Sequence, residues 1–273
     1  MGAEEGMRIA LRIAYEGSSW FGFARQPGKR TVEGVLLQTL SKAGLMETPE
    51  RAGYEAAART DRGVSAIGQV VALNSRYLPT PEELNSFLPP DLTILSVRGV
   101  SPTFRPRREA LFRHYRYVLP LPHPFDLHEA RRGAKFLETT HTLTPFCKPE
   151  PGRPLSSKPF LVGIRAEGEI LKADFIATNF LHHQVRRMMG ALLLVGKGER
   201  KVEDLWKLSR EGGRGWEPAP CEGLFLVRVG YRDLPLPPNP SAVKRFEDYL
   251  SRVPSLGNAE MRRVLREELG FKG

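Results

Sequence analysis

A short segment with one carboxylate between two guanidinium groups is the first place where this chain could do chemistry. Residues 59–63 read Arg-Thr-Asp-Arg-Gly, and the residues on both sides are mostly small or apolar. Asp and Gly favour tight turns, because Asp bonds its own backbone and Gly accepts a positive φ. We therefore predict that Asp61 lies in a turn before a buried strand at 66–73. A rigidly held carboxylate suits catalysis, but an ordinary hairpin turn with two solvated arginines would have the same sequence.

Aromatic rings and cations are mixed in two other segments. The loop at 16–29 contains Trp20, Phe21, Phe23 and Arg25. Rings next to a cation suit stacking on nucleic-acid bases, although Trp20 and Phe21 would serve equally well in a core. Residues 111–119 have the alternation of a strand, which places three side chains on one face: Arg113, Tyr115 and Tyr117.

The composition indicates a basic globular protein. Of 273 residues, 41% are hydrophobic, and the formal net charge is +10. Such an excess of positive charge favours a polyanionic partner, although it also increases solubility. No apolar run reaches the ~20 residues that span a bilayer, and the N-terminal residues do not resemble a secretory signal. We expect a cytoplasmic protein that does not associate with a membrane.

The cysteines and histidines do not have the spacing of a metal site. Cys147 and Cys221 are far apart in the sequence and belong to no Cys-x-x-Cys pair. His182 and His183 are adjacent, whereas two ligands on a helix are commonly four residues apart. We expect two reduced thiols and no metal.

The hydrophobic patterns predict two successive β-α-β-β-α-β series. The first series has a strand at 7–15, a helix at 31–43, strands on both sides of Asp61, a short helix at 81–87 and a strand at 92–100. The second has strands at 111–119, 160–167, 169–177 and 224–229, with helices at 127–137, 180–195 and 202–209. We predict an α+β fold of two tandem split βαβ units, ferredoxin-like or RRM-like. Their largely antiparallel sheets would join into one extended sheet with a central RNA-binding cleft.

The domain boundaries follow from these repeats. A basic connector with Arg105, Arg107 and Arg108 separates the two series, and a proline-rich segment at 235–240 follows the second. We predict an N-terminal domain at 1–105 that carries Asp61, a second domain at 106–235 and a helical tail at 236–273. The tail would pack on the body, on a partner subunit or on RNA.

Several short motifs occur in a fixed order along the chain. They are Tyr15-Glu16-Gly17 with Phe21-Gly22 and Arg25-Gln26-Pro27, Thr31-Val32-Glu33-Gly34, Arg59 to Val64 with Gly68-Gln69-Val70, Arg113-x-Tyr115-x-Tyr117, Asn179 to Arg186 with Gly190, and Glu222 to Leu226. Over about residues 8–235, this order resembles the tRNA pseudouridine synthase A (TruA) family. Each motif is weak alone, but their combination on a repeated split βαβ unit is specific.

The resemblance implies an isomerase that converts uridine to pseudouridine in the tRNA anticodon stem-loop, at tRNA positions 38, 39 and 40. It implies that Asp61 is the nucleophile. Carboxylates can attack a carbon centre to form a covalent intermediate. The attacked atom would be C1′ of the sugar or C6 of uracil, and Asp61 could instead assist deprotonation at C2′.

The same resemblance suggests the supporting residues. Arg186 would pair with Asp61, and Tyr115 would stack on the flipped uracil and transfer a proton. Leu224 or Leu226 would exclude water from the pocket. Three arginines would bind the RNA: Arg25, Arg59 and Arg105.

The chain departs from the family pattern at three sites, which comprise four residues. Ala58 stands where the family usually has Gly, Ser65 where it usually has His, and Phe23-Ala24 where it usually has Trp-Gln. None of them removes Asp61, but any role of that His in contacting RNA is put in doubt.

The reaction needs no redox step, so we expect no cofactor and no metal. The expected partners are tRNA and a second copy of the chain in a homodimer. Two other readings remain open: a non-catalytic RNA-binding protein on the same scaffold, and a nucleoside hydrolase that uses Asp61 with Glu16 as a carboxylate pair.

Overall fold

The computed structural model describes residues 6–140, 143–147, 157–212 and 215–271. The chain forms two compact units, the first made of Met1–Leu111 and Phe225–Gly273 and the second of Phe112–Leu224. The predicted ranges 1–105, 106–235 and 236–273 describe repeats along the chain rather than packing. They therefore remain a prediction.

The order of elements matches the two predicted series, and the predicted α+β class is confirmed. The strands are β1 (Met7–Tyr15), β2 (Glu55–Ala56), β3 (Ser65–Ser75), β4 (Leu92–Gly99), β5 (Phe112–Pro120), β6 (Pro159–Glu167), β7 (Ile170–Ala177) and β8 (Leu224–Gly230). The helices are α1 (Val32–Lys42), α2 (Pro81–Asn85), α3 (Leu127–Thr139), α4 (Gln184–Gly196), α5 (Val202–Glu211), α6 (Pro240–Leu250) and α7 (Leu256–Glu268). None of the helices that the structure describes is long and apolar enough to cross a bilayer.

The sheet of the first unit has β1 at its centre. β1 pairs antiparallel with β3 on one side and with β4 on the other, and β2 pairs with the far edge of β3. This is the strand arrangement of a split βαβ unit. β8 runs parallel to β3 next to the start of that strand, where Ser65 pairs with Phe225. A Cβ at Gly68 would lie 2.2 Å from the carbonyl oxygen of Val227, so only glycine allows this close approach.

The helices of the first unit begin where the sequence predicts. The Thr31 hydroxyl caps α1 by accepting a hydrogen bond from the Gly34 backbone, and Thr80 caps α2 in the same way. Pro81 occupies the first turn of α2, where its missing N–H costs nothing.

The second unit has a three-stranded antiparallel sheet in the order β5-β7-β6. Tyr115 in β5 and Val162 in β6 both pair with Phe175 in β7, which is fully buried. α3 and α4 pack closely, because Gly133 lies where a Cβ would be 3.1 Å from Leu192. Most of the predicted proline-rich loop at 148–158 lies outside the described residues.

The predicted start of the helix at 180–195 was wrong, because α4 begins only at Gln184. His183 has φ 60, in the left-handed region, and a helix cannot continue through that conformation. Residues 180–183 therefore lie before the helix rather than within it. The Gln184 side chain folds back and accepts a hydrogen bond from the Leu181 backbone at 2.8 Å.

The helical tail packs on the body of the first unit. α6 lies against β4 and α2, and α7 lies against α6. Arg12 in β1 forms an ion pair with Glu268 at the end of α7, with 2.5 Å between the nearest charged atoms. The body of the protein, one of the three predicted places, is thus a surface on which the tail packs.

Candidate active site

Asp61 lies in the loop between β2 and β3, at the first position of a tight turn. The Val64 backbone donates to the Asp61 carbonyl at 3.2 Å, and Gly63 has φ 82. A glycine with positive φ at the third position is what a type II turn requires. The turn is therefore the predicted one, and the Asp61 side chain is partly exposed.

The backbone before Asp61 is fixed by a buried glutamine. Gln69 has no exposed surface, and its side chain bonds both backbone groups of Ala58, accepting from the N–H at 3.2 Å and donating to the carbonyl at 2.7 Å. The Thr60 hydroxyl bonds the Tyr15 hydroxyl at 2.8 Å. Because these partners are buried, the residues before Asp61 have little freedom to move.

The aromatic loop after β1 packs along the Asp61 turn. The Phe23 backbone donates to the Thr60 carbonyl at 3.1 Å, and the Gly17 backbone donates to the Ser65 hydroxyl at 2.9 Å. Ser65, one of the residues that depart from the family pattern, thus anchors this loop. Of the loop aromatics, Trp20 and Phe23 are core residues, with 1% and 0% exposure.

Two cations flank one aromatic ring of this loop. The Arg62 guanidinium lies 4.4 Å from the centre of the Phe21 ring, and the Lys29 ammonium lies 4.8 Å from it. Both side chains belong to exposed residues, and neither pairs with a carboxylate of the described residues. Like charges repel, so two unneutralised cations at one ring favour an anion between or beside them.

Sequence reasoning missed Arg62 and Lys29 as candidate binding residues. The available signal was their position, since Arg62 follows Asp61 directly and Lys29 lies in the loop that contains Phe21. Arg59, which was predicted, is also exposed and has no acidic partner among the described residues.

The other two predicted RNA-binding arginines already have carboxylate partners. Arg25 lies 3.9 Å from Glu33 and 3.5 Å from Glu50. Arg105 pairs with Glu55 at 3.1 Å. All these arginines are about half exposed, so each ion pair is weak and exchangeable.

Tyr115 and Tyr117 share one face of β5, as predicted, but differ in their surroundings. Tyr115 is 8% exposed and makes an edge-to-face contact with Phe180, with ring centres 5.4 Å apart. Tyr117 is fully buried and donates its hydroxyl to the Pro220 carbonyl at 2.8 Å. Tyr117 is thus a core residue.

Arg186 lies in the first turn of α4 and is only partly exposed. Its Nε donates to the Ala219 carbonyl at 3.0 Å, while the Ala219 N–H donates to the Arg186 carbonyl at 2.8 Å. These paired bonds fix the helix to the segment before β8. A Cβ at Gly190 would lie 2.4 Å from the Glu217 carbonyl oxygen, so glycine permits this contact.

The two leucines predicted to exclude water are both buried. Leu224 is 4% exposed, and Leu226 has no exposed surface. Both cysteines are free thiols, as expected, and burial raises the pKa of Cys147 and of Cys221.

Similarity to known proteins identifies the family. A family described as tRNA pseudouridine synthase matches residues 140–232. The tRNA pseudouridine synthase A of Thermococcus kodakarensis is 38% identical over 89% of this chain and 94% of its own length. The protein of the same name from Methanosarcina barkeri is 33% identical over 96% of both chains, and that of Pyrococcus horikoshii is 35% identical over 88% and 91%.

The chain belongs to the tRNA pseudouridine synthase family. It is therefore an isomerase that acts on uridine in tRNA, and the resemblance noted in the sequence is confirmed. Membership of an enzyme family removes the reason for interpreting the chain as a non-catalytic RNA-binding protein. Glu16, the second carboxylate of the hydrolase alternative, is 7% exposed and accepts hydrogen bonds from the Ser18 backbone and hydroxyl, which gives it a structural role.

Proposed function

We propose that this enzyme isomerises uridines 38, 39 and 40 of the tRNA anticodon stem-loop, with Asp61 as the nucleophile. The observation that supports the proposal most strongly is the placement of Asp61. Its side chain is partly exposed, whereas the turn and the segments on both sides of it are fixed by buried hydrogen bonds. Catalysis gains most when a reacting group is held in position before the substrate binds.

The reaction rearranges bonds without a change of oxidation state. The Asp61 carboxylate attacks C1′ of the sugar or C6 of uracil, and the N1–C1′ bond breaks. The base turns, C5 forms the new bond to C1′, and the bond to Asp61 breaks, which regenerates the carboxylate. The proton on C5 leaves while N1 gains one. Atoms and charge balance within the nucleotide, so no cofactor is required.

Two residues of the second unit are proposed for the same reaction. Tyr115 stacks on uracil and transfers the proton, because a phenol serves as acid or base when its surroundings assist. Arg186 supplies the positive charge that accompanies the reacting carboxylate. Leu224 and Leu226 are proposed to keep water from the intermediate.

Binding requires the target base to leave its stack, which costs a few kcal/mol. Contacts of cations with RNA phosphates offset this cost and make binding sensitive to salt. We assign these contacts first to Arg59, Arg62 and Lys29, which have no acidic partner among the described residues. Arg25 and Arg105 contribute less, because each must leave a carboxylate.

The working unit is proposed to be a cytoplasmic homodimer with one tRNA spanning both subunits. Light scattering on the purified protein tests the stoichiometry, with and without tRNA. A monomer in both samples would contradict it.

The chemistry is tested by release of tritium from tRNA that carries uridine labelled at C5. The native protein should release tritium, and Asp61→Asn should not, while both bind tRNA. Undiminished release by Asp61→Asn would contradict the assigned nucleophile.

The position is tested by chemical mapping of pseudouridine in the same tRNA. Substrates with cytidine at 38, 39 or 40 should each lose one modification and keep the others. Modification outside the anticodon stem-loop would contradict the assigned site, and free uracil would indicate hydrolysis instead.

A further inference from the structure

The tail helix α6 is hydrogen-bonded, through the residue that caps it, to β4, the outer strand of the first unit. Asn239 caps the helix by accepting from the Ala242 backbone at 3.0 Å, while its own N–H donates to the Leu95 carbonyl in β4 at 2.7 Å. The buried side chains of α6 are apolar: Ala242, Val243, Phe246 and Leu250. α6 is therefore an integral layer of this unit.

One arginine of α6 holds the segment that leads into β4. Arg245 donates to the carbonyl oxygens of Leu88 at 2.7 Å, Pro89 at 3.1 Å and Leu92 at 3.1 Å, and to the Thr93 hydroxyl at 2.6 Å. All four acceptors are neutral, and burial lowers the pKa of Arg245. The rigid fork of a guanidinium satisfies four such acceptors at once, which a lysine cannot do.

The same segment carries Asp91, which connects it to the aromatic loop. Asp91 is 5% exposed and accepts two hydrogen bonds from Arg30, at 2.9 and 3.0 Å. Arg30 stacks on the Trp20 ring at 3.7 Å and also donates to the Ser19 carbonyl. The Asp91 carbonyl accepts from the Glu16 backbone at 3.1 Å. Both ends of the loop are thus tied to residue 91.

The aromatic loop in turn contacts the turn that carries Asp61. Gly22 packs so closely that a Cβ would lie 3.2 Å from the Thr60 carbonyl oxygen and 3.4 Å from the Asp61 carbonyl carbon. At the other end of the loop, a Cβ at Gly17 would lie 2.5 Å from the Val64 carbonyl carbon. The loop therefore supports the turn on both sides of Asp61.

Helix α7 supplies a second connection. Glu268 pairs with Arg12, and the Nε of Arg12 donates to the Ile67 carbonyl at 2.9 Å. The Arg12 side chain is 8% exposed, so this pair is partly shielded from water. Ile67 lies in β3, the strand that follows the Asp61 turn.

We propose that the C-terminal helices are a brace for the catalytic loop, in which Arg245, Asp91 and Arg30 are positioning residues for Asp61. Arg245 fixes the segment before β4, Asp91 in that segment fixes Arg30, and Arg30 fixes the loop against which the Asp61 turn is packed. This inference rests on the proposed function, because it takes Asp61 as the reacting group.

Loosening this brace affects chemistry more than binding. None of the three positioning residues belongs to the exposed cations assigned to RNA, and Asp91 and Arg30 already satisfy each other. A displacement of the nucleophile by about 1 Å can lower the rate about 100-fold. The affinity for tRNA, which depends on the exposed cations, should change little.

The experiment compares Asp91→Asn and Arg245→Met with the wild type in single-turnover assays at saturating tRNA. We expect the rate of tritium release to fall about tenfold or more, with the tRNA dissociation constant within about threefold. The matched control is Glu247→Gln. Glu247 bonds Arg266 of α7 at 2.8 Å and joins the two tail helices, and it forms no hydrogen bond or ion pair with the described residues 88–93. It should lose stability but keep the single-turnover rate.

Either of two results would overturn the proposal. The first is a wild-type rate in folded Asp91→Asn and Arg245→Met. The second is weaker tRNA binding at an unchanged saturated rate, which would place the tail in substrate binding.

A milder variant and a second measurement apply if those proteins do not fold. Arg245→Lys keeps the charge and part of the bonding. Hydrogen exchange of peptides covering 59–65 should be faster in Arg245→Lys than in the wild type, and equal exchange overturns the brace. This measurement needs no activity, so it distinguishes a failed brace from a wrong assignment of Asp61, which the Asp61→Asn assay reveals separately.

Discussion

Two aspartates, one in each unit, have very different surroundings. Asp61 is partly exposed on a turn whose backbone is fixed. Asp174 in β7 is 7% exposed and accepts hydrogen bonds from His114 at 2.7 Å, Arg116 at 2.6 Å and Arg165 at 2.5 Å. Burial would raise the pKa of Asp174, but these three donors outweigh it and hold the pKa well below its usual range.

The difference separates Asp174, whose charge has a structural role, from Asp61, the proposed nucleophile. The carboxylate of Asp174 is committed to three donors of its own sheet, so it holds strands β5, β6 and β7 together. The backbone before Asp61 is held by the buried Gln69 side chain and by the Phe23 backbone, and Asp61 itself is partly exposed. Burial and charge pairing alone would select Asp174 as the unusual residue, yet its environment is typical of an ion-pair network.

The largest expected effect is on the reaction that we propose at Asp61. Asp61→Asn should lower single-turnover tritium release by about 10⁴-fold or more, as loss of a nucleophile does. Its unfolding free energy should change by less than about 0.5 kcal/mol, because the side chain is partly exposed. If Asp61→Asn retained a tenth of the wild-type activity, Asp61 would not be the nucleophile and its contrast with Asp174 would not hold.

The next effect is on stability at Asp174. Asp174→Asn removes a buried anion that pairs with Arg116 and with Arg165, so we expect a loss of about 3 kcal/mol, at the low end for a broken buried pair since Arg165 is partly exposed. Urea unfolding measures it. The control is Glu167→Gln, a surface partner of Arg165 and Lys172 that should cost less than about 1 kcal/mol. Equal losses of unfolding free energy in Asp174→Asn and Glu167→Gln would contradict the distinction between a buried and a surface ion pair.

Asp174 should also make the unfolding free energy depend on pH. The folded pKa of Asp174 lies below its unfolded value, so the unfolded chain binds the proton more readily. The stabilisation is fully present above the unfolded pKa of about 4 and is lost as pH falls through the folded value. Unfolding free energies at neutral and acidic pH should therefore differ less in Asp174→Asn than in the wild type. Identical pH profiles would refute this.

The smallest expected effect is on the salt dependence of tRNA binding, where we compare two cations, Arg62 and Arg25. Arg62 has no acidic partner among the described residues, whereas Arg25 pairs with Glu33 and Glu50. Removing one phosphate contact reduces the salt slope of binding by about 1, and we expect this for Arg62→Ala but a smaller change for Arg25→Ala. Filter binding of tRNA over a range of salt measures both. A larger change for Arg25→Ala would reverse the assignment.

Much of the local structure followed from the sequence because its causes are local. The two helices predicted to begin near residues 31 and 81 are present and are capped by Thr31 and Thr80, and Gly63 supplies the positive φ that the Asp61 turn needs. Strand alternation placed Tyr115 and Tyr117 on one face of β5. In each case the deciding interaction lies within a few residues of the chain.

Other features depended on partners far away in the chain. The start of α4 was missed because His183 adopts a left-handed conformation, which no nearby glycine signals. Ser65 bonds Gly17, and Asp174 collects donors from two other strands. Which charges are neutralised is a property of packing, so Arg25 and Arg62 look alike in the sequence.

The sequence by itself determined the order of the elements, the turn that carries Asp61 and, through the ordered motifs, the family. Only the tertiary structure decided which cations are available, how the Asp61 turn is fixed, and where the tail goes. The physical reason is distance along the chain: Arg245 meets residues 88–93 only after folding. Hydrogen bonds between such distant segments leave no periodic signal in the sequence, although they hold the loop on which the proposed chemistry depends.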